Sequence, residues 1–174
     1  MKAHELHRAK APKRLGFYIV TVSTSRYRKK VLGEKFVDES GDVAERIALH
    51  HKHRVVGRDL IADDSDLIKS AFGKGAAKDG VDVILFTGGT GVSRTDMTVE
   101  TIRPLFEKEI EGFGEILRLK SFRRIGPAAM LTRATAGISK GKLVLCLPGS
   151  PDGVETALNL FMRDIPHVVY VSKS

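Results

Sequence analysis

The sequence contains one cysteine in 174 residues, so no disulfide bond can form within a single chain. Cys146 lies in the apolar run 142–147, and we expect a buried, reduced thiol, which is typical of cytosolic proteins. The sequence also lacks a run of about 18 apolar residues, which a transmembrane helix would need. Its first residues are charged and show no apolar segment of the kind found in secretory signals. We therefore expect a cytoplasmic protein that has no membrane partner.

Several common catalytic, metal-binding and nucleotide-binding patterns are missing as well. His50, His51 and His53 cluster at the end of a predicted helix, where histidine interacts favourably with the helix dipole, and their spacing does not predict a zinc site. No Ser–His–Asp or Cys–His arrangement can be assigned. The glycine-rich stretch 87–91 lacks the lysine of a P-loop and does not match the G-x-G-x-x-G spacing of dinucleotide-binding loops.

Basic residues outnumber acidic ones, and the formal net charge is +8. Residues 1–14 carry five basic side chains against one glutamate, so half of the excess lies in a terminal arm. Two short basic segments, 25–30 and 118–124, lack the interleaved aromatic residues of a surface that stacks on bases. We favour a solvated arm and a small anionic ligand, with a nucleic-acid binder as the alternative that the charge suggests.

Apolar patterning predicts an α/β protein with one globular domain at 15–174 after the basic arm 1–14, since 42% of the residues are hydrophobic. Strands are expected at 15–23, 54–61, 81–86 and 142–147, with a further strand or hairpin arm in the second half of 127–139. Helices are expected at 38–53, 63–78, 112–119, from Pro151 onward, and over 99–110, the last one interrupted or bent near Pro104. The alternation of strands and helices predicts a sandwich around a largely parallel sheet.

Polar segments follow four of the predicted strands, at 21–26, 62–64, 87–91 and 148–151. If these strands are parallel, the segments gather at the carboxyl edge of the sheet, where open α/β sheets bind ligands. The segment 87–91 is TGGTG, and its glycines permit positive φ angles and close approach of the backbone to a ligand. With the hydroxyls of Thr87 and Thr90 and the N–H groups of a following helix, it predicts a phosphate nest. A plain glycine turn is the alternative.

Aspartates are expected close to this loop, at the same edge of the predicted sheet. A carboxylate at Asp96 would repel phosphate unless Mg²⁺ bound both groups, and the alternative is that Asp96 or Thr98 caps the next helix. A second acidic segment contains Asp63 and Asp64. Since Asp64 or the serine after it can cap a helix, we select Asp63 as the second metal ligand.

Further candidates flank the loops. Ser150, in the segment LPGSP, is equally suited to cap a helix and to contact a ligand, and the proline after it suits the first helical turn. Basic side chains near the loops can add a positive field for an anionic ligand, namely Arg94, Lys120, Arg123 and Arg124.

Several of these segments together resemble one family. The segments are TVSTSR at 21–26, DESGD at 38–42, TGGTGVSRTDMT at 87–98, SFRRIGPAAMLTRATAG at 121–137 and LPGSP at 147–151. As a set they are similar to the MoaB/MogA family of molybdenum cofactor biosynthesis, which includes the G domains of gephyrin and its plant counterpart. The resemblance runs from about Ala11 to the end of the chain, and 10–26 is more similar to the MoaB branch than to the MogA branch.

The resemblance implies a three-layer α/β/α fold with a mostly parallel central sheet and a homo-oligomer, either a trimer or a hexamer. It also implies an Mg²⁺-dependent transfer of the adenylyl group of ATP to molybdopterin, with release of pyrophosphate. A separate, MoeA-like protein that inserts molybdate would receive the product. Some relatives carry an aspartate where this chain has Thr24, so a catalytically weak paralogue that binds molybdopterin or acts as a scaffold is the alternative.

The family pattern also implies roles for residues of this chain. Asp63 and Asp96 match the functional acids, which would bind Mg²⁺. The residues that match positions lining the pterin-phosphate and nucleotide pocket are Thr87, Gly88, Gly89, Thr90, Gly91, Ser93, Arg94, Ser121, Pro148, Gly149 and Ser150. The residues that match the loop near the adenosine are Thr21, Ser23 and Ser25.

Overall fold

The computed structural model describes residues 10–174, so residues 1–9 of the predicted basic arm lie outside the described part of the chain. The strands are β1 (Gly16–Val22), β2 (Arg54–Ile61), β3 (Val83–Thr87), β4 (Lys108–Glu109), β5 (Thr135–Ser139) and β6 (Lys142–Leu147). The α-helices are α1 (Thr24–Val31), α2 (Glu39–His50), α3 (Ser65–Ala77), α4 (Thr98–Ile102), α5 (Glu111–Ile125), α6 (Pro151–Phe161) and α7 (Ile165–Ser172). Two 3₁₀ turns cover Arg103–Leu105 and Gly126–Leu131.

The strands form one six-stranded sheet in the order β2-β1-β3-β6-β5-β4. Neighbours among β2, β1, β3 and β6 are parallel, whereas β5 is antiparallel to β6 and β4 is antiparallel to β5. The parallel strands are joined by helical crossovers, because a short hairpin cannot join strands that point the same way. This mostly parallel α/β/α arrangement confirms the fold class expected from the sequence.

Helices cover both faces of the sheet. On one face, Phe17 and Ile19 of β1 pack in a core shared with α2, α5, α6 and α7. On the other face, Tyr18 and Val20 pack with α3 and α4. Successive side chains of a strand point to opposite faces, and helices cover both faces of the sheet. Every residue of β1 and of β3 is therefore buried. The doubly covered central strands fix the position of the loops that follow them.

The helix expected around Pro104 is interrupted at this proline. α4 stops two residues before this proline, a 3₁₀ turn follows, and Lys108–Glu109 pairs with β5 as an edge strand. Proline lacks a backbone donor and disfavours a continuing helix. Phe106 and Ile110 therefore lie beyond the helix, and of the two possibilities expected near Pro104, the interruption is observed and the bend is not.

Three other helices differ from expectation. α5 continues past 119 to Ile125 and stops at Gly126, whose φ of 64° ends the helix. α1 was not expected as a helix; it buries none of its residues, and only Tyr27 and Val31 in it are apolar. The helix expected from Pro151 onward is two helices, α6 and α7, separated near Asp164.

Two titratable side chains of the core have simple roles. His53 is buried, its Nδ1 accepts the N–H of Leu15 at 3.3 Å, and burial lowers its pKa, so it is a neutral acceptor. Cys146 is free and fully buried, and burial raises the pKa of its thiol, as expected for an unreactive cysteine. No helix within residues 10–174 is long and apolar enough to cross a membrane.

Candidate functional site

The segments after β1, β2, β3 and β6 lie side by side at the carboxyl edge of the sheet, because these strands are parallel neighbours. Hydrogen bonds join the segments in a row. The Asp63 N–H donates to Thr24 Oγ1 at 3.0 Å, which connects the segments after β2 and β1. The Met97 N–H donates to Asp63 Oδ1 at 2.9 Å, and Thr87 Oγ1 donates to Pro148 O at 2.8 Å. The predicted grouping of the four loops is therefore observed.

The glycine loop, residues 88–91, has all four of its carbonyl groups bonded to protein donors. Thr98 bonds two of them: its Oγ1 donates to Gly88 O at 2.8 Å, and its backbone N–H donates to Gly89 O at 3.0 Å. Arg133 bonds the other two: its backbone N–H donates to Thr90 O at 3.1 Å, and its Nε donates to Gly91 O at 2.7 Å. The acceptors of the loop are thus satisfied within the protein.

The N–H groups of the same region are available for a ligand. The Gly88 N–H donates to Leu147 O at 3.1 Å. The next four N–H groups, those of residues 89–92, donate to no acceptor in the part of the chain that the structure describes. Because a peptide unit is planar and trans, an N–H points opposite to the carbonyl of the residue before it, and here those carbonyls are all bonded to protein donors. A row of such donors is what a phosphate nest offers, so a plain glycine turn is the weaker explanation.

Two of the glycines are required by space and by backbone conformation. Gly88 and Gly89 have φ angles of 103° and 63°, which other residues rarely adopt. A Cβ atom on Gly88 would lie 2.1 Å from Val22 O, and one on Gly89 would lie 2.5 Å from Asp63 Oδ2. The loop can therefore pass close to both neighbouring segments only as glycine.

The hydroxyls of Thr87 and Thr90 do not face a ligand as expected. Both side chains are buried, and their Oγ1 atoms donate to the carbonyls of Pro148 and Leu147. The following helix was expected to add N–H groups, and the first of these, the N–H of Thr98 where α4 begins, donates to Gly89 O within the loop. The expectation for the two hydroxyls is wrong because these side chains hold the loop in place. The backbone N–H groups of the loop itself remain available as donors.

The residues expected near the adenosine divide into two environments. Thr21 is buried, and its Oγ1 donates to Asp38 Oδ2 at 2.9 Å. Ser23 caps α1 by accepting the N–H of Arg26 at 3.4 Å, and its Oγ lies 3.4 Å from Ser25 Oγ. The hydroxyls of Ser23 and Ser25 thus lie together at the start of α1, whereas that of Thr21 is used in the interior.

Asp63 and Asp96 each accept one backbone N–H. Asp63 Oδ1 accepts from Met97 at 2.9 Å, and Asp96 Oδ2 accepts from Ser93 at 2.9 Å. Met97 is the N-cap of α4 and makes no side-chain hydrogen bond there, so the capping alternative for Asp96 is excluded. Asp64, in contrast, caps α3 through two backbone N–H groups, as considered from the sequence.

The two carboxylates make the site electrostatically unfavourable for a further negative charge. Burial raises the pKa of Asp63, the hydrogen bond from Met97 lowers it, and the charges of Asp96 and Glu100 raise it again. Arg133 forms an ion pair with Glu100, and this contact lowers the pKa of that glutamate. A cation bound between Asp63 and Asp96 would remove their mutual repulsion.

The donor atoms at this point suit a divalent cation that is shared with a phosphate. Asp63 Oδ2 and Asp96 Oδ1 have no hydrogen-bond donor among the described residues. Residues 10–174 contain no group of three or more histidine, cysteine or acidic side chains that could hold a metal alone. Mg²⁺ is usually held by one or two carboxylates together with substrate phosphates and water, so two carboxylate oxygens are sufficient.

A small cavity of about 130 Å³ lies between α5 and the loop that follows β6. Ser121, Pro148 and Ser150 line it, so the structure brings together three of the residues that were expected to bind the substrate. Arg124 also lines the cavity and is paired with Asp152 at 2.7 Å. Ser150 caps α6 by accepting a backbone N–H at 3.1 Å, and its own O–H can still donate, so the two roles considered for it are compatible.

The remaining expected residues are backbone contacts or exposed side chains. A Cβ atom on Gly149 would lie 3.0 Å from Gly88 Cα, so this glycine lets the two loops touch. Ser93 Oγ lies 3.0 Å from Thr95 Oγ1 on the exposed side of the glycine loop. Exposed basic side chains in this region are those of Arg94, Lys120 and Arg123.

Three residues hold the site but were not assigned this role from the sequence: Thr24, Thr98 and Arg133. Thr24 accepts the Asp63 N–H, and the other two bond the carbonyls of the glycine loop. Arg133 lies in the motif 121–137 that carried the family resemblance. That motif could have drawn attention to it, although no sequence pattern shows which carbonyl a distant arginine will meet.

The chain is similar over most of its length to known proteins. Residues 18–167 match the family model described as "Probable molybdopterin binding domain". The molybdopterin adenylyltransferase of Pyrococcus furiosus is 39% identical over 170 residues, which cover 95% of each chain. Molybdenum cofactor biosynthesis protein B of Bacillus cereus is 36% identical over 166 residues, which cover 94% of each chain. The crystal structure of tungsten cofactor synthesizing protein MoaB from Pyrococcus furiosus matches with a TM-score of 0.83 and 38% identity, covering 94% of this chain and 100% of that one.

Proposed function

Because the chain belongs to the molybdopterin-binding family of molybdenum cofactor biosynthesis, we propose that it is a molybdopterin adenylyltransferase that uses ATP. An oxygen of the terminal phosphate of molybdopterin would attack the α-phosphorus of ATP. A new phosphorus–oxygen bond forms as the bond to the oxygen that bridges the α- and β-phosphorus atoms breaks, and pyrophosphate leaves. The products are adenylyl-molybdopterin and pyrophosphate.

The glycine loop supports this reaction by offering preorganised donors to the attacking phosphate. The N–H groups of residues 89–92 have no acceptor in the described chain, and the preceding carbonyls are all held by protein donors. Donors that are fixed before the substrate arrives need no reorganisation during the reaction, which is the usual basis of electrostatic catalysis. The phosphate would therefore be held in one orientation for an in-line attack.

The two carboxylates would complete the charge balance. Asp63 and Asp96 would hold Mg²⁺, which supplies the positive charge that the triphosphate and the pterin phosphate both require. The same residues have backbone partners in Met97 and Ser93, so their orientation is fixed without the ligand. Phosphoryl transfer needs positioning and charge more than a covalent nucleophile, which accords with the lack of a recognisable catalytic triad in the sequence.

The two substrates would approach the glycine loop from different sides. We place the pterin beside Ser121 and Ser150, which line the cavity next to the loop after β6. The nucleotide would lie towards Ser23 and Ser25, at the start of α1. This places the α-phosphate between the substrate phosphate and the acidic residues, where the attack must occur.

The single observation that carries the proposal is that a row of available backbone N–H donors lies beside two carboxylates from neighbouring strand ends. The test is to incubate the protein with molybdopterin, ATP and Mg²⁺ and to detect adenylyl-molybdopterin by mass spectrometry. We expect product with the wild-type protein and none with Asp96→Asn. Asp64→Asn is the matched control: it removes a neighbouring charge but keeps a good helix cap, so most activity should remain.

The same experiment separates this function from the alternative of a binding or scaffold paralogue. A wild-type protein that binds molybdopterin but forms no adenylyl-molybdopterin in the presence of ATP and Mg²⁺ would contradict the enzymatic proposal. That result would instead support the paralogue, whose sequence signal is Thr24 at a position where some relatives carry an aspartate. In this structure Thr24 accepts the N–H of Asp63, so it helps to place one of the two acids.

We further propose, on the basis of the family, that the protein is a cytoplasmic homo-oligomer and passes its product to a MoeA-like, molybdate-inserting protein. A native mass measurement distinguishes a trimer from a hexamer, and a monomer at micromolar concentration would contradict this part of the proposal. The domain at 15–174 and the basic arm at 1–14 remain predictions from the sequence.

A further inference from the structure

We propose that Arg133 is a positioning residue for adenylyl transfer, because it holds the last part of the glycine loop so that the backbone N–H groups of Gly91 and Val92 remain directed to the substrate phosphate. This inference rests on the proposed function, since it assigns the loop to the phosphate of molybdopterin. Arg133 acts through the backbone of the loop and is not placed in contact with substrate.

Arg133 joins three segments through its backbone N–H and its side chain. The Arg133 N–H donates to Thr90 O at 3.1 Å, and its Nε donates to Gly91 O at 2.7 Å. The outer side of the guanidinium contacts both carboxylate oxygens of Glu100 in α4, with Nη2 at 3.1 Å from Oε2 and Nη1 paired with Oε1. The Arg133 side chain is only 33% exposed, so these contacts are partly shielded from water.

Peptide geometry converts these carbonyl contacts into directions for the N–H groups. The carbonyl of Thr90 and the N–H of Gly91 belong to one planar unit and point in opposite directions. The carbonyl of Gly91 and the N–H of Val92 form the next unit. Holding both carbonyls on Arg133 therefore turns both N–H groups away from it. If the guanidinium is lost, the second unit can rotate and present a carbonyl oxygen to the phosphate instead of an N–H.

Arginine suits this role because of its planar set of donors. Its Nε can bond one carbonyl while the two terminal nitrogens form a forked contact with a carboxylate. A lysine has a single charged nitrogen and cannot hold Gly91 and Glu100 in the same way. Glu100 in turn fixes the plane of the guanidinium, so the two side chains act as one unit.

The first test compares Arg133→Met with Arg103→Met in steady-state kinetics. Arg103 is a matched control because it also forms an ion pair, with Glu109 at 2.8 Å, but contacts no carbonyl of the glycine loop. We expect Arg133→Met to raise KM for molybdopterin about tenfold, the usual effect of losing a hydrogen bond to a charged group, and to leave KM for ATP unchanged. Arg103→Met should change neither constant.

Two further variants keep the proposal testable if Arg133→Met folds poorly. Arg133→Lys retains the positive charge but lacks the two terminal nitrogens that contact Glu100. Glu100→Gln retains the hydrogen bond from Arg133 Nε to Gly91 O. Both should raise KM for molybdopterin, by less than Arg133→Met. A purely structural arginine would instead lower the active fraction of each variant and leave KM for molybdopterin at the wild-type value, which would overturn the proposal.

The second test does not depend on turnover. Hydrogen exchange measured on the peptide 87–97 should be faster in Arg133→Met than in the wild type and in Arg103→Met, and calorimetry should show about tenfold weaker binding of molybdopterin. Unchanged exchange together with unchanged binding would overturn the role of Arg133. If the wild type forms no adenylyl-molybdopterin, the proposed function fails, yet these two measurements still decide the role of Arg133.

Discussion

The negative charge of Asp63 destabilises the folded protein. This side chain is partly buried, it lies near Asp96 and Glu100, and its pKa is raised by burial and by these charges. An acid with a raised folded-state pKa binds its proton more tightly in the native state than in the unfolded state. Its contribution to stability is therefore present at low pH and is lost as the pH rises from the ordinary aspartate value through the folded-state value. At neutral pH the ionised carboxylate destabilises the native state.

We therefore expect Asp63→Asn to raise the melting temperature at pH 7.5 in the presence of EDTA. The asparagine oxygen can still accept the N–H of Met97, so the hydrogen bond at 2.9 Å can be kept. The difference from the wild type should shrink as the pH falls to about 4, where the ordinary aspartate is half protonated. Thermal melts at the two pH values measure this. Asp64→Asn should show no such gain, and an unchanged or lowered melting temperature for Asp63→Asn at pH 7.5 would refute the account.

Gly89 is a second residue of the proposed site whose conformation also affects the stability of the protein. Its φ of 63° and its close approach to the Asp63 carboxylate leave no room for a Cβ atom. We expect Gly89→Ala to lower the free energy of unfolding by at least about 1–2 kcal/mol, the cost of a left-handed conformation for an L-residue. Gly73→Ala, inside α3 and with open space around it, should raise stability by about 0.5–1 kcal/mol. Urea denaturation measures both, and equal effects of the two changes would contradict this explanation.

At the scale of elements, the sequence predicted those strands and helices that bury an apolar face. β1 and β3 are buried along their whole length, and α3 buries one face, so all three have the expected apolar pattern. α1 buries no residue and contains only two apolar residues, Tyr27 and Val31, which are too few to predict a helix. The two-residue strand β4 was missed because its pairing depends on β5, which is distant in the chain.

The lack of burial in α1 has a dynamic consequence. Helices with few buried apolar contacts open locally at low cost, independently of global unfolding. We expect the amides of α1, residues 24–31, to exchange with solvent much faster than those of α3, residues 65–77, under native conditions. Hydrogen exchange read by NMR or mass spectrometry tests this. Equal protection of the two helices would show that α1 is held by contacts other than core packing.

At the scale of the whole molecule, the parallel order of β2, β1, β3 and β6 places the site. That placement could be predicted, because polar segments at the ends of parallel strands must share one edge. The proximity of Asp63 and Asp96 at this edge could be predicted in the same way. The orientation of the loop carbonyls could not be predicted, since it depends on Thr98 and on an arginine 42 positions from its acceptor Gly91. Hydroxyls expected to face the ligand lie inward for the same reason: tertiary contacts decide which way a loop turns.

We propose that the residues at this edge of the sheet transfer the adenylyl group from ATP to molybdopterin. The most direct measurement uses ATP labelled at the α-phosphate and follows the label and the released pyrophosphate together. We expect the label to appear in the pterin product in an amount equal to that of pyrophosphate, only with Mg²⁺ present, and not with Asp96→Asn. Label that remains in ATP, or that appears only as free AMP, while molybdopterin is bound would contradict it.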